Sequence, residues 1–175
     1  APHVAADLHE MGSNSTYFFA PPMEPVNKNV PENILRWWDI FGAANAEAFD
    51  EKGWSFFRRE AFDEFYPGYG VSWPTLTGAV GMTYEQASSR GGAIRRSDGT
   101  VLTLEQAIRQ HHTAAWATVR PAALRRAERV RDYIAFRSTA VTEAERSGMR
   151  AVVFEADAQG RSAALAELLA RNGIE

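Results

Sequence analysis

The sequence predicts an α/β protein: a mixed, mostly parallel sheet with helices on both faces, followed by a small αβ unit. Three observations carry that expectation. Short apolar runs alternate with longer stretches whose apolar residues recur at helical spacing. The strand-like run at 4–9 closes on Asp7-Leu8-His9, and another at 77–85 closes on Gly81-Met82-Thr83-Tyr84-Glu85. Towards the other end, Ala151-Val152-Val153-Phe154 precedes a helical stripe of Ala164, Leu165, Leu168 and Leu169.

Taken in order, residues 4–9 read as a short buried strand. Residues 12–29 form a long loop rich in Ser, Asn and Pro, of a length that inside a compact domain is usually functional or disordered. Tyr17, Phe18 and Phe19 argue for order there. Pro31 suits a first helical turn, and Ile34, Trp37, Trp38, Phe41, Ala44, Ala48 and Phe49 follow at helical spacing until Gly53 ends the helix. Residues 54–57 read as a short strand, and Phe65-Tyr66-Pro67-Gly68-Tyr69-Gly70 as a turn-rich loop. Gly78 and Gly81 mark the strand at 77–85 as one that other backbone approaches closely.

Ser97-Asp98-Gly99 centres a hairpin over 93–103, and Thr103 with Gln106 gives a capping-box start to a helix. That helix is expected to reach about Val119 and to break at Arg120-Pro121. A second helix carries Leu124, Ala127, Val130 and Ile134 on one face. Asn172-Gly173 closes the final helix, and Ile174 reads as the opening of a strand. The expected division is 1–120 and 121–175, with the boundary region at 120–148.

Composition removes several functions. A net charge of −3 leaves no strongly basic surface, so bulk electrostatics give no case for nucleic acid. There is no cysteine, which excludes disulfides, thiolate zinc sites and cysteine nucleophiles. No run approaches the ~18 apolar residues of a membrane span.

Chemistry concentrates at two strand ends. Residues two apart on a strand share a face, so Asp7 can orient the ring of His9. The alternative is a buried, hydrogen-bonded histidine with no ligand. His3 shares that face but lies six residues away, about 20 Å along a strand at ~3.3 Å per residue. His111 and His112 are adjacent on a helix and point about 100° apart, so they cannot share an ion. A hydrolytic zinc site takes three protein ligands and an open position. No His-x-x-Glu, His-x-x-x-His or His-x-His pattern occurs, so two ligands would come from outside the chain.

Glu85 ends an apolar strand, where a charge is costly unless paired or functional. It is either a general base for metal-activated water or the partner of Arg90, Arg95 or Arg96. Tyr69, between two glycines, is either a phenol able to swing over a ligand or a packed aromatic in a turn. Arg120, Arg125, Arg126, Arg129 and Arg131, diluted by Glu128 and Asp132, read as a solvated helix face rather than a phosphate site.

The ordered set is a strand ending in Asp-x-His, an aromatic loop, a long helix, a Tyr/Gly loop, a strand ending in Glu, a hairpin and a capped helix. It resembles the second half of the catalytic domain of the carboxypeptidase A-like zinc metallocarboxypeptidases, over residues 1–120. Residues 121–175 resemble the C-terminal extension of some bacterial members. The resemblance implies a partial carboxypeptidase-like α/β/α sandwich, with one Zn2+ held by His9 and by ligands from the remainder of a parent chain. It implies Asp7 behind His9, Glu85 as general base, and Tyr69 or Tyr66 closing over a peptide substrate that loses its C-terminal residue. An extracytoplasmic setting, secreted or periplasmic, follows only from the resemblance. The chain departs from the family pattern in lacking the His-x-x-Glu pair and the arginines and asparagine that hold substrate. On its own it is expected to be inactive. Two other readings stay open: a non-catalytic domain binding a ligand or partner through the 17–19 and 66–69 loops, and a metal-dependent amidohydrolase or deacetylase.

Overall fold

The protein is described by a computed structural model over residues 2–148 and 151–174. These fall into two compact units, divided between Ser138 and Thr139, so residues 121–138 pack with the first unit rather than beginning the second.

The first unit is built on a small mixed sheet of order β1-β3-β2, with β1 at Val4–Met11, β2 at Tyr17–Phe18 and β3 at Val80–Ala87. β1 and β3 are parallel, while β2 is antiparallel to β3. The sheet is therefore mixed and small, and a mostly parallel sheet is not what these three strands form. β3 is central and almost wholly buried, whereas β1 is an edge strand with Leu8, His9 and Glu10 exposed. The buried strand expected at 4–9 is thus half-exposed, because among the described residues only β3 lies beside it.

Alternation along β3 divides its surroundings. Tyr84 and Gln86 point to helices α1 (Glu32–Asp50) and α3 (Leu104–Leu124): Tyr84 receives a hydrogen bond from Asn45 at 3.2 Å, and Gln86 donates to Gln110 at 2.9 Å. The apolar residues of α1 that the spacing singled out enter this core, with Ile34, Trp37, Trp38, Phe41 and Phe49 all buried. Gly81 lies on the other face. A side chain there would run into the carbonyl of Val71, which precedes the short helix α2 (Ser72–Leu76).

The 12–29 segment is ordered: Tyr17, Phe18 and Phe19 are buried, and β2 hydrogen-bonds β3. Residues 54–57 form no strand, only an isolated bridge between Phe57 and Phe18. The hairpin is present as β4 (Ala93–Arg95) and β5 (Val101–Thr103), and the Thr103 hydroxyl accepts the Gln106 amide at 3.2 Å to start α3. Proline does not end α3 where expected. The helix passes through Pro121 to Leu124 before α4 (Arg126–Ser147) begins, with Ala122 packed on the core. A proline lacks a donor and crowds the preceding turn, but neighbouring packing can hold the helix through it.

On α4 the expected faces are exchanged. Leu124, which ends α3, and Val130 and Ile134 on α4 are exposed, while Arg129 is 2% exposed. Its guanidinium lies 5.5 Å from the Trp37 ring and donates to Gly78 O at 2.8 Å. A cation over an indole, with its aliphatic stem packed, competes well for a buried position.

In the second unit, residues 151–157 carry no strand; Val153 is 93% exposed, without a neighbouring strand to pair with among the described residues. Helix α5 (Arg161–Arg171) ends through Gly173 at φ 79°, with Ile174 N–H returning to Leu169 O at 3.1 Å. Among the described residues, Ile174 therefore completes a helix cap.

Candidate functional site

In a parallel pair, residues in register project to the same face. His9 is in register with Glu85, and Asp7 with Thr83. Folding β1 beside β3 thus brings the imidazole and the carboxyl to one side of the sheet, near the carboxyl ends of both strands. Open α/β sheets bind ligands in that region.

Asp7, His9, Tyr69, Gly70 and Glu85 line a common cavity of about 300 Å³. Asp7 Oδ2 is 3.0 Å from His9 Nε2, which leaves Nδ1 as the free nitrogen of the neutral ring. That hydrogen bond raises the His9 pKa above its ordinary value, against partial burial, and the Asp7 and Glu85 charges add to the rise. Burial raises the Glu85 pKa; the charge of His9 opposes that shift and Asp7 reinforces it. Among the described residues no arginine pairs with Glu85, so Arg90, Arg95 and Arg96 do not account for it.

The tyrosine loop reaches this cavity by close packing. A side chain at residue 70 would touch Asp7 Oδ2 at 3.1 Å, and one at residue 68 would strike the Tyr66 ring. Neither glycine adopts left-handed backbone; the neighbour at residue 70 is Asp7, and that at residue 68 is the far end of the exposed Tyr66 side chain. Tyr69 lines the cavity, whereas Tyr66 stands against it with ring centres 5.4 Å apart and is more exposed.

Glu64 is the residue that sequence reasoning missed. It lines the same cavity, is 4% exposed, and accepts the Thr83 N–H through Oε1 at 3.3 Å. Oε2 has no hydrogen-bond partner. Burial pushes its pKa up to about 8, the Thr83 hydrogen bond opposing and Asp63 reinforcing the shift. Ala61, also in the wall, holds φ 67°, a left-handed conformation costly for a residue with a Cβ. The adjacent Phe62 fixes the loop by donating to Glu60 O and accepting from the Met23 amide.

The other histidines lie elsewhere. His111 Nδ1 is bonded to the Tyr17 hydroxyl at 2.8 Å, and the His3 ring packs on Tyr133. His112 lines a larger groove of about 450 Å³ between α1 and α3, where Glu47 and Glu51 are balanced by Lys52 and Arg120. Among the described residues no three metal-ligating side chains converge, and no helix is long and apolar enough to cross a membrane.

Fold and site together define a mixed α/β unit with an acid-rich pocket at the ends of two parallel strands. No protein-family model, curated protein or solved structure matches the chain.

Proposed function

We propose that this chain carries the general base and one metal ligand of a zinc-dependent hydrolase that releases C-terminal residues from peptides, of the metallocarboxypeptidase kind. One observation carries the reading: His9 and Glu85 are register partners facing one pocket, with Asp7 bonded to the imidazole. In this reading the small sheet is part of a larger α/β/α sandwich. The eight-residue β1 supports that, because its outer edge is unpaired among the described residues, and long free edges are normally covered.

His9 fits a zinc ligand: a neutral imidazole held at Nε2 by a carboxylate presents Nδ1, the usual arrangement behind metal-bound histidine. The other ligands would come from beyond the described residues. Zinc, when bound, supplies Lewis acidity at the reacting carbonyl. Glu85 takes the proton from the attacking water, and its raised pKa suits it to pass that proton on to the leaving amine. Asp7 keeps the His9 ring oriented. Phe18 and Phe62 give the pocket an apolar wall, and Tyr69 stands at the same cavity, where it would cover a bound substrate.

The test is a longer chain that supplies a His-x-x-Glu pair, loaded with zinc and assayed on a blocked dipeptide. Glu85→Gln should retain zinc and lose activity about 10²- to 10⁴-fold, the usual contribution of a general base. Full activity in that variant would overturn the assignment. Ligand binding without hydrolysis in the wild type would favour a non-catalytic binding domain.

A further inference from the structure

We propose that two copies of this chain pair through the outer face of α3, their helices antiparallel about a twofold axis at His112. The inference is independent of the strand-end pocket. Helix α3 packs on the Tyr84 and Gln86 side of β3, while Glu85 faces the other way, so pairing leaves that pocket clear.

The first ground is a second apolar face on one helix. α3 turns Ala107, Gln110, Ala114 and Thr118 into the core. At ~100° per residue, Leu104, Ile108, Trp116 and Val119 share an arc of about 120° on the opposite side. All four are exposed, Trp116 at 66%. A surface helix ordinarily carries one apolar stripe, and a second one, running ~22 Å along the axis at ~1.5 Å per residue, marks an interaction face.

The second ground selects the partner, and it is symmetry. Ile108 and Trp116 stand at equal distances on either side of His112 in the chain. Turning a second α3 end for end about His112 sets Ile108 of each copy level with Trp116 of the other, the reciprocal contact that a twofold interface requires. The two side chains lie ~40° to either side of His112, so they pack beside each other rather than head-on. Next to Trp116, the groove floored by Ala44, Ala48 and Ala117 gives the indole room to settle.

The third ground is charge. The same turn brings Glu105 of each copy beside Arg120 of the other, at both ends of the contact. Arg120 has no ion pair among the described residues, and Glu105 holds its exposed helical neighbour Arg109. Parallel pairing would instead set Glu105 against Glu105 and Arg120 against Arg120. Antiparallel pairing also opposes the two helix dipoles.

Sedimentation of the full chain from about 1 to about 200 µM tests this, the range expected for a contact of one helix per copy. The wild type should pass from monomer to dimer. Trp116→Ala should weaken association at least about tenfold, the loss usual for a central aromatic anchor. Arg120→Glu should weaken it too, and adding Glu105→Arg should restore it. The chain has no cysteine, so single cysteines report the geometry. With oxidised glutathione, His112→Cys should give a disulfide-linked dimer, because a residue on the axis meets its own copy. Glu105→Cys, ~21 Å from its copy along the axis, should not. A monomer throughout the range, a dimer indifferent to Trp116→Ala, or equal cross-linking at 105 and 112 would overturn the inference.

Discussion

His9 and Glu85 face each other across the parallel β1–β3 pair, each the other's register partner. Their convergence needs no loop to close, because strand pairing alone fixes it. A one-residue slip would send every β1 side chain to the opposite face, replacing His9 with Leu8 or Glu10 beside Glu85. The hydrogen bonds of β3 on both of its sides resist that slip, since β3 is paired with β1 and with β2.

One imidazole and one carboxyl do not make a zinc cage. Zinc titrated into this chain should show no tight one-to-one site and no peptidase activity, because three protein ligands are required and no such group converges among the described residues. A competition assay against a chelating dye checks the affinity. His9 resonances should broaden before those of His111, whose Nδ1 is engaged by Tyr17. Nanomolar one-to-one binding would contradict the expectation.

Much of this site was legible in the sequence, because it follows from strand alternation. Asp7 and His9 share a face by period two, and Glu85 lies near the end of β3, the apolar strand that pairs with theirs. The Thr103 cap was legible for a similar reason, since its hydrogen bond spans three residues. Glu64 was not, because an acid beside Asp63 in a turn-rich loop looks solvated until that loop folds against Thr83. Arg129 was hidden likewise: nothing within its own helix announces the Trp37 ring that covers it. The strand expected at 151–154 had the right residues, but a strand exists only with a neighbour, and local composition does not report one.

Gly81→Ala should destabilise the protein by about 1–3 kcal/mol, the usual cost of overpacking a closed core. The added methyl would meet the Val71 carbonyl and sit 2.5 Å from Thr75 Oγ1, and backbone cannot yield as a flexible side chain does. Trp38 Nε1 donates to Gly81 O at 2.7 Å, so its fluorescence reports the strain directly. Urea unfolding gives the magnitude. Gly12→Ala is the control, since a Cβ there meets nothing within 4 Å.

The Thr118 hydroxyl joins three buried groups: it accepts from Asn45 Nδ2 at 3.2 Å, donates to Ala114 O at 2.8 Å and pairs with the Tyr84 hydroxyl. Thr118→Val keeps the volume and takes one partner each from Tyr84 and Asn45, which remain bonded to each other, so a loss of about 0.5–1.5 kcal/mol is expected. Adding Tyr84→Phe should cost less than the sum of the single changes, because the two share one hydrogen bond. Denaturation of the four proteins in this cycle measures the coupling, and strict additivity would show that the hydroxyls do not interact.

Glu64 should make the protein less stable as pH rises from about 4.5 to about 8. Its carboxyl is raised to about 8 by burial, so across that window the folded chain retains a proton that the unfolded chain has released. Each unit of pH then removes up to about 1.4 kcal/mol, and the decline from this group ends above its folded value. Glu85, also raised by burial, contributes in the same direction and persists in a Glu64 variant. Glu64→Gln should therefore flatten the profile without levelling it, and should gain on the wild type most at pH 8. Urea midpoints at pH 5, 6.5 and 8 decide the matter. Parallel profiles would mean that Glu64 ionises freely in the folded chain, and that its second oxygen is in contact with water after all.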